Sequence, residues 1–174
     1  MKLTAENIKE NYLILIIKLL IVCLFIFLLT HGILKIIEHY NVSIGNSENK
    51  LTDYFYIITT NSYLRPSIIL LIPIVGIFTN KKIGWILIQS YFYFLITNLV
   101  FPATQIDLTD NTLILINIIG FLLLLLIIIL MNKNKIRNLT YGIKKNELIS
   151  KNIIASIIGI STTIILVMIK NNLI

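Results

Sequence analysis

Long apolar segments are the feature that most constrains how this chain can fold. A helix needs about 20 consecutive apolar residues to cross a hydrocarbon core of about 30 Å. Four segments are long enough, at 12–37, 83–101, 112–131 and 152–169, and a shorter fifth lies at 64–79. Inside a bilayer, only helices and closed barrels satisfy their own backbone hydrogen bonds. The sequence therefore predicts an all-α fold: a polytopic membrane helical bundle of about five transmembrane helices, forming one integral-membrane domain over 1–174.

The overall composition supports a membrane protein over a water-soluble domain. Hydrophobic residues make up 57% of the chain and charged residues only 13%, about half the share in soluble domains. The net charge of +7 is compatible with nucleic-acid binding, but the basic residues lie at the ends of apolar segments and not along one helix face. We therefore expect them to anchor the chain to a lipid bilayer, and we predict no nucleic-acid partner.

The segment at 64–79 has two interpretations. It is either a short tilted span or a re-entrant segment, which leaves the membrane on the side where it entered. Pro66 suits the first turn of a helix, where no backbone donor is lost. Pro73 lies within the segment, so we expect it to remove a backbone hydrogen bond and to kink the helix.

The basic residues also predict the orientation, because Lys and Arg accumulate in short cytoplasmic loops. With five spans, the N-terminal stretch, the bend at Lys81 and Lys82 and the loop at 132–151 share one side and hold most of the 15 Lys and Arg residues. The N-terminus is then cytoplasmic and the C-terminus outside. A re-entrant second segment would place the N-terminus outside. In both cases the bend and the later basic loop share one side, with Trp85 at the membrane interface beside the bend.

Residue usage and the first long loop add smaller predictions. The abundance of Ile, Asn and Lys is typical of an AT-rich bacterial gene, so we expect the inner (plasma) membrane of a bacterium. The outer loop at 39–63 contains an aromatic-rich stretch at 54–58, which predicts an interfacial turn or helix. Cys23 is the only cysteine, which excludes an intramolecular disulfide, and we expect it to be a buried apolar residue.

The third apolar segment is the most polar. At 100° per residue, four of its polar side chains fall within one arc of roughly 100°. They are Gln89, Ser90, Tyr93 and Thr97. Such a stripe either lines a solute path or, more commonly, forms hydrogen bonds between helices. The fourth and fifth segments supply small or polar positions that predict close-packing faces, within the bundle or against a second copy of the chain. These are Asn117, Ser156, Gly159 and Thr163.

A second polar cluster lies near the outer end of the first segment, at His31, Lys35, Glu38 and His39. If the helix continues there, spacings of three and four residues place these side chains on neighbouring positions. A metal or proton site would use both histidines and Glu38, but the ammonium group of Lys35 repels a cation. We interpret the cluster as an interfacial helix end with solvated charges, and we predict neither a metal nor a cofactor.

The spans lack the sequence signatures of an enzyme: they carry no paired acidic residues, no glycine-flanked serine with a suitable base and no phosphate-binding loop. The leading hypothesis is a non-enzymatic bacterial inner-membrane protein that binds a membrane partner. It would be an accessory subunit, or an immunity or defence-type protein that recognises another membrane protein or a toxin. The first alternative is a small transporter or channel with a polar path along the third helix. An intramembrane enzyme is the third hypothesis.

Overall fold

The computed structural model describes residues 5–43, 50–79, 81–103 and 111–170, and these ranges contain helices and no strand. A π-helix (Lys135–Thr140) and a 3₁₀-helix (Lys145–Glu147) lie between the last two α-helices. The prediction of an all-helical chain is confirmed. In chain order, the α-helices are α1 (Ala5–Ser43), α2 (Lys50–Thr60), α3 (Arg65–Ile69), α4 (Leu71–Phe78), α5 (Lys82–Ala103), α6 (Asn111–Asn132) and α7 (Leu148–Lys170).

Four helical stretches are long and apolar enough to cross a membrane: Tyr12–Val42, Lys82–Val100, Thr112–Asn132 and Lys145–Ile169. They correspond to the four long segments of the sequence. A fifth span arises only if α2 is joined to the stretch Arg65–Phe78, from which it is bent by 67°. The chain is therefore a multi-pass membrane protein with four or five helices that could span the bilayer.

The second predicted span is broken into α3 and α4 at Leu70. At 1.5 Å per residue, the stretch Arg65–Phe78 is about 21 Å long, less than the hydrocarbon core. Pro66 lies in the first turn of α3, as predicted. Pro73 is the third residue of α4, where its missing N–H also falls in a first turn. The break at Leu70 lies three residues before Pro73, in the turn whose hydrogen bond the proline removes, which is where a proline is expected to kink a helix.

Helix α5 is the centre of the bundle and packs against α4, α6 and α7. Its side chains Trp85, Ile88 and Phe92 are almost completely buried. The N-terminal half of α1 adds one buried face, which includes Ile17 and Ile21. These contacts form the main core of the protein.

A smaller core lies at the C-terminal end of α1, which continues beyond residue 37 to Ser43 and packs against α2. Ile36, Tyr40 and Ile57 are buried there, and Tyr40 stacks on Tyr54 with ring centroids 4.3 Å apart. The aromatic-rich stretch at 54–58 is thus a helix, which was one of the two predicted forms, a turn or a helix. Its interfacial position stays a prediction.

Two residues have surroundings that the sequence did not indicate. Cys23 is exposed and not buried, because it lies about 200° around α1 from the buried Ile21. Trp85 is fully buried, and its indole N–H donates to the carbonyl oxygen of Met131 at 3.0 Å. The indole therefore packs inside the bundle, and its position at the membrane interface stays a prediction.

Candidate functional site

Helices α5 and α7 are in close contact at Gly159. A Cβ atom at this position would lie 2.5 Å from the carbonyl oxygen of Ser90 and 2.7 Å from the backbone nitrogen of Phe94. Only glycine permits this approach, and Ala155 and Thr163, one turn to either side, are fully buried. Gly159 and Thr163, two residues of the predicted close-packing face on α7, therefore lie at the seam between α5 and α7.

The side chain of Asn152 joins α5, α6 and α7. Its Oδ1 accepts hydrogen bonds from Gln89 Nε2 at 3.3 Å and from Tyr93 OH at 3.1 Å. Its Nδ2 donates to Asn132 Oδ1 at 2.8 Å and to the carbonyl oxygen of Leu148 at 3.1 Å. One amide near the start of α7 thus connects the middle of α5 to the C-terminal end of α6.

Gln89 is the most deeply buried member of this network. Its side chain is completely inaccessible, and its Oε1 atom has no hydrogen-bond partner among the described residues. Buried polar atoms are nearly always bonded, and an unsatisfied one costs about 1–3 kcal/mol. The network therefore has one buried acceptor that its own donors leave unused.

Sequence reasoning missed Asn98, Asn132 and Asn152. Asn98 Nδ2 donates to Thr163 Oγ1 at 3.1 Å, although Asn98 lies outside the predicted polar arc. A single arc is a poor guide for α5, because this helix is packed on several sides and meets partners in more than one direction. Asn132 and Asn152 lie at the two ends of the basic loop. This position was the one feature of the sequence that could have indicated a contact between them.

Among the described residues, four of the predicted polar side chains form hydrogen bonds only to their own helix. Each donates to a carbonyl oxygen three or four residues earlier, which is how such groups are often satisfied in a helix. Only Gln89 and Tyr93 of the predicted stripe bond to Asn152. The self-bonded side chains are Ser90 to Leu87, Thr97 to Tyr93, Asn117 to Leu113 and Ser156 to Ile153, with distances of 2.8–2.9 Å.

A small cavity lies beside the polar stripe of α5, where Ser90, Phe94 and Thr162 contribute to its wall. Its volume is about 10 Å³, which is close to the space of one water molecule. The cavity is much smaller than a ligand pocket.

The cluster at the end of α1 does not converge on one point. The helix continues there as the spacing argument required, and Lys35 Nζ pairs with Glu38 Oε2 at 2.7 Å on the surface. His39 Nδ1 instead forms a hydrogen bond with Tyr63 OH at 3.1 Å, and His31 stacks on the ring of Phe27. Among the described residues, no three His, Cys, Asp or Glu side chains could hold a metal ion.

The two basic stretches meet at one end of the bundle. Lys82 Nζ pairs with Glu147 Oε1 at 2.5 Å, which joins the bend before α5 to the loop before α7. Arg137 is buried in that loop and donates from Nη1 to the carbonyl oxygen of Ile143 at 2.9 Å. The contact agrees with the expectation that both stretches share one side.

Comparison with known proteins finds no matching family model, no matching curated protein and no matching solved structure. The function is therefore inferred from three features of the described helices: the network around Asn152, the amide of Asn117 on α6 and the basic end of the bundle.

Proposed function

We propose that this chain is a non-enzymatic protein of the bacterial inner membrane that binds another membrane protein through α6. The observation that carries the proposal is the amide of Asn117 on a helix that the rest of the chain hardly covers. Only 6% of the most apolar window of α6 is buried, compared with 44% for α5. Asn117 itself is half-buried, and the neighbouring side chains Ile116 and Ile118 are exposed.

Asn117 has hydrogen-bonding capacity that its own chain does not use. Within the described ranges, its side chain makes one hydrogen bond, to the carbonyl oxygen of Leu113 in the preceding turn. The hydrocarbon of a bilayer offers no partner for the remaining donor and the side-chain oxygen. A polar side chain on a second transmembrane helix would satisfy them, with a gain of about 1 kcal/mol.

The partner is therefore proposed to be an apolar transmembrane helix that carries a polar side chain at the matching depth. The chain would act as an accessory subunit, or as an immunity or defence-type protein that recognises a membrane protein or a toxin. We assign no catalytic role, because the polar side chains of the candidate site are engaged within or between helices.

A small transporter or channel is the second candidate function. The buried, unpartnered Oε1 of Gln89 favours it, because an incoming solute could donate to that oxygen. We place it second because Gln89 and Tyr93 already bond to Asn152, and because the cavity beside Ser90 has room for only about one water molecule.

Native mass spectrometry of the tagged chain, extracted from its own membrane in nanodiscs, tests the proposal. We expect a second protein at fixed stoichiometry that is lost in Asn117→Leu and retained in the control Ile118→Leu, which changes only the shape of an exposed apolar side chain. A bare monomer would contradict partner binding. A homo-oligomer would show that a second copy covers α6, and a retained small solute would favour the transporter.

The proposed orientation has a separate test in cysteine labelling. In a Cys23→Ala background, a cysteine at position 49 should react from outside the cell and one at position 134 from inside. Position 49 lies outside the described residues, whereas Asn134 is exposed beside the π-helix. If both positions react from the same side, the five-span topology is wrong.

A further inference from the structure

Helix α2 has an apolar side that stays exposed while another of its sides packs on α1. Ile57 is buried in one cluster with Ile36, at the C-terminal end of α1. At 100° per residue, three apolar side chains of α2 fall within one arc of about 60°, which lies at least about 100° around the helix from Ile57. They are Leu51, Phe55 and Ile58, exposed by 88%, 68% and 41%. Exposed apolar side chains that share one helix face indicate a surface for an apolar partner.

The side of α2 opposite to this apolar arc carries polar groups. Tyr56 and Thr60 are exposed there, at least about 100° around the helix from each residue of the arc. Thr52 and Thr59 are exposed at positions between the two sides. The helix therefore has one side on α1, one apolar side and one side with hydroxyl groups. This pattern is typical of a helix that lies in the plane of a membrane interface.

Exposed charges on α1 indicate the depth at which α2 lies. Lys35 and Glu38 form a surface ion pair, with 45% and 61% of their side chains exposed. Helix α2 packs at Ile36 and Tyr40, within the same part of α1. Charged side chains are costly in the centre of a bilayer, and the uncharged stretch at 19–34 ends just before Lys35. These positions favour the headgroup level for α2.

The direction of α2 follows from the stretch Arg65–Phe78, which runs alongside α1. Near its start, a Cβ atom on Gly32 would lie 2.7 Å from the carbonyl oxygen of Tyr63. Near its end, towards the basic end of the bundle, Lys18 Nζ donates to the carbonyl oxygen of Ile77 at 2.9 Å. The axis of α2 is bent by 67° from this stretch. If α1 and the stretch cross the bilayer, α2 is closer to the membrane plane than to the membrane normal.

We propose that α2 is an in-plane helix that binds the lipid surface, with the arc of Leu51, Phe55 and Ile58 in the acyl chains of the leaflet opposite to the basic end. Tyr56 then faces the water, although it belongs to the same aromatic-rich stretch as Phe55. The stretch Arg65–Phe78 is about 21 Å long, less than the hydrocarbon core of about 30 Å, so the apolar side of α2 fills depth that this stretch does not reach. The surface is independent of the partner surface on α6.

The first experiment measures the depth of spin labels on the full chain in bilayers of phosphatidylcholine and phosphatidylglycerol. In a Cys23→Ala background, single cysteines are labelled at positions 51, 55, 56, 58 and 60. Power saturation compares the access of oxygen, which concentrates in hydrocarbon, with that of a water-soluble nickel chelate. Labels at 51, 55 and 58 should lie about 5–10 Å below the phosphates and be reached mainly by oxygen. Labels at 56 and 60 should be reached mainly by the nickel chelate.

The second experiment needs no label and uses Phe55 and Tyr56 as a matched pair. The two aromatic residues are adjacent and similarly exposed, at 68% and 64%. Lipids with brominated acyl chains should quench the fluorescence of Phe55→Trp more strongly than that of Tyr56→Trp, after subtraction of the wild-type signal from Trp85. Thermal unfolding of both variants should match the wild type, because each exchanges one exposed aromatic ring for another.

Four results would overturn the proposal. Access of the nickel chelate to all five labelled positions would place the whole of α2 in water. Access of oxygen alone to all five would place the whole helix in the hydrocarbon, as part of a bent span. Exclusion of both reagents from positions 51, 55 and 58 would show that protein, such as a second copy of the chain, covers the apolar side. Equal quenching of the two tryptophan variants would remove the difference between the two sides of α2.

Discussion

Helices α5 and α6 have the same length of 22 residues, yet they occupy opposite environments. The more polar α5 is the centre of the bundle, whereas the more apolar α6 packs along one face and has few fully buried side chains. In water the more apolar helix would be the buried one. In lipid, apolar side chains gain little by leaving the bilayer, so polar and small residues decide which helix is packed.

The amides of Asn152 and Asn117 repeat this contrast at the level of single residues. Asn152 bonds to side chains of two other helices, whereas Asn117 bonds only to its own helix among the described contacts. We infer that the first holds the bundle together and that the second is available for recognition. The following substitutions test that difference, from the largest expected effect to the smallest.

Gly159→Ala should cause the largest loss of stability. Its Cβ would lie 2.5 Å from the carbonyl oxygen of Ser90, so α5 and α7 must separate, at a cost of about 3 kcal/mol. The matched control is Gly120→Ala on α6, where the nearest atom, Leu99 Cδ1, is 3.4 Å away and little should change. The measurement is the free energy of unfolding in mixed micelles titrated with a denaturing detergent. Equal stability of the two variants would contradict the close seam.

Asn152→Leu should reduce the free energy of unfolding by about 2 kcal/mol, because it removes three bonds between helices at about 0.6 kcal/mol each. The same detergent titration measures the loss. A double-mutant cycle with Gln89→Leu should show coupling, since the two side chains share a hydrogen bond. Strictly additive effects would mean that the network does not operate as a unit.

Glu147→Gln should cause a smaller, salt-dependent loss of stability. The variant removes the charge that pairs with Lys82. Both side chains are partly exposed, Glu147 at 30% and Lys82 at 44%. Ions in solution screen pairs of this kind, so the difference from the wild type should shrink as salt is raised from about 0.01 M to 1 M. A difference that does not change with salt would indicate that packing, and not charge, joins the bend to the loop.

Asn117→Leu should leave the free energy of unfolding within about 0.5 kcal/mol of the wild type, because, among the described residues, the side chain bonds only to its own helix. Loss of the co-purified partner in the same variant would separate recognition from stability. A large fall in stability would instead place Asn117 among the residues that hold the bundle together.

Much of the secondary structure was predictable because it depends on local chemistry. Segment length and hydropathy identified the four long helices, and the first-turn preference of proline placed Pro66. The exposure of Cys23 was not predictable, because α1 is apolar on all sides and its sequence does not indicate which face is covered.

By itself, the sequence determined the number of long helices and the position of the small-residue face around Gly159, because hydropathy and spacing are properties of neighbouring residues. Only the tertiary structure decided that α5 is central, that the second segment breaks at Leu70 and that Asn152 is the hub of the polar network. Gln89 and Asn152 are separated by 63 positions along the chain. A helical period describes which residues share a face, but it contains no information about which distant helix that face meets.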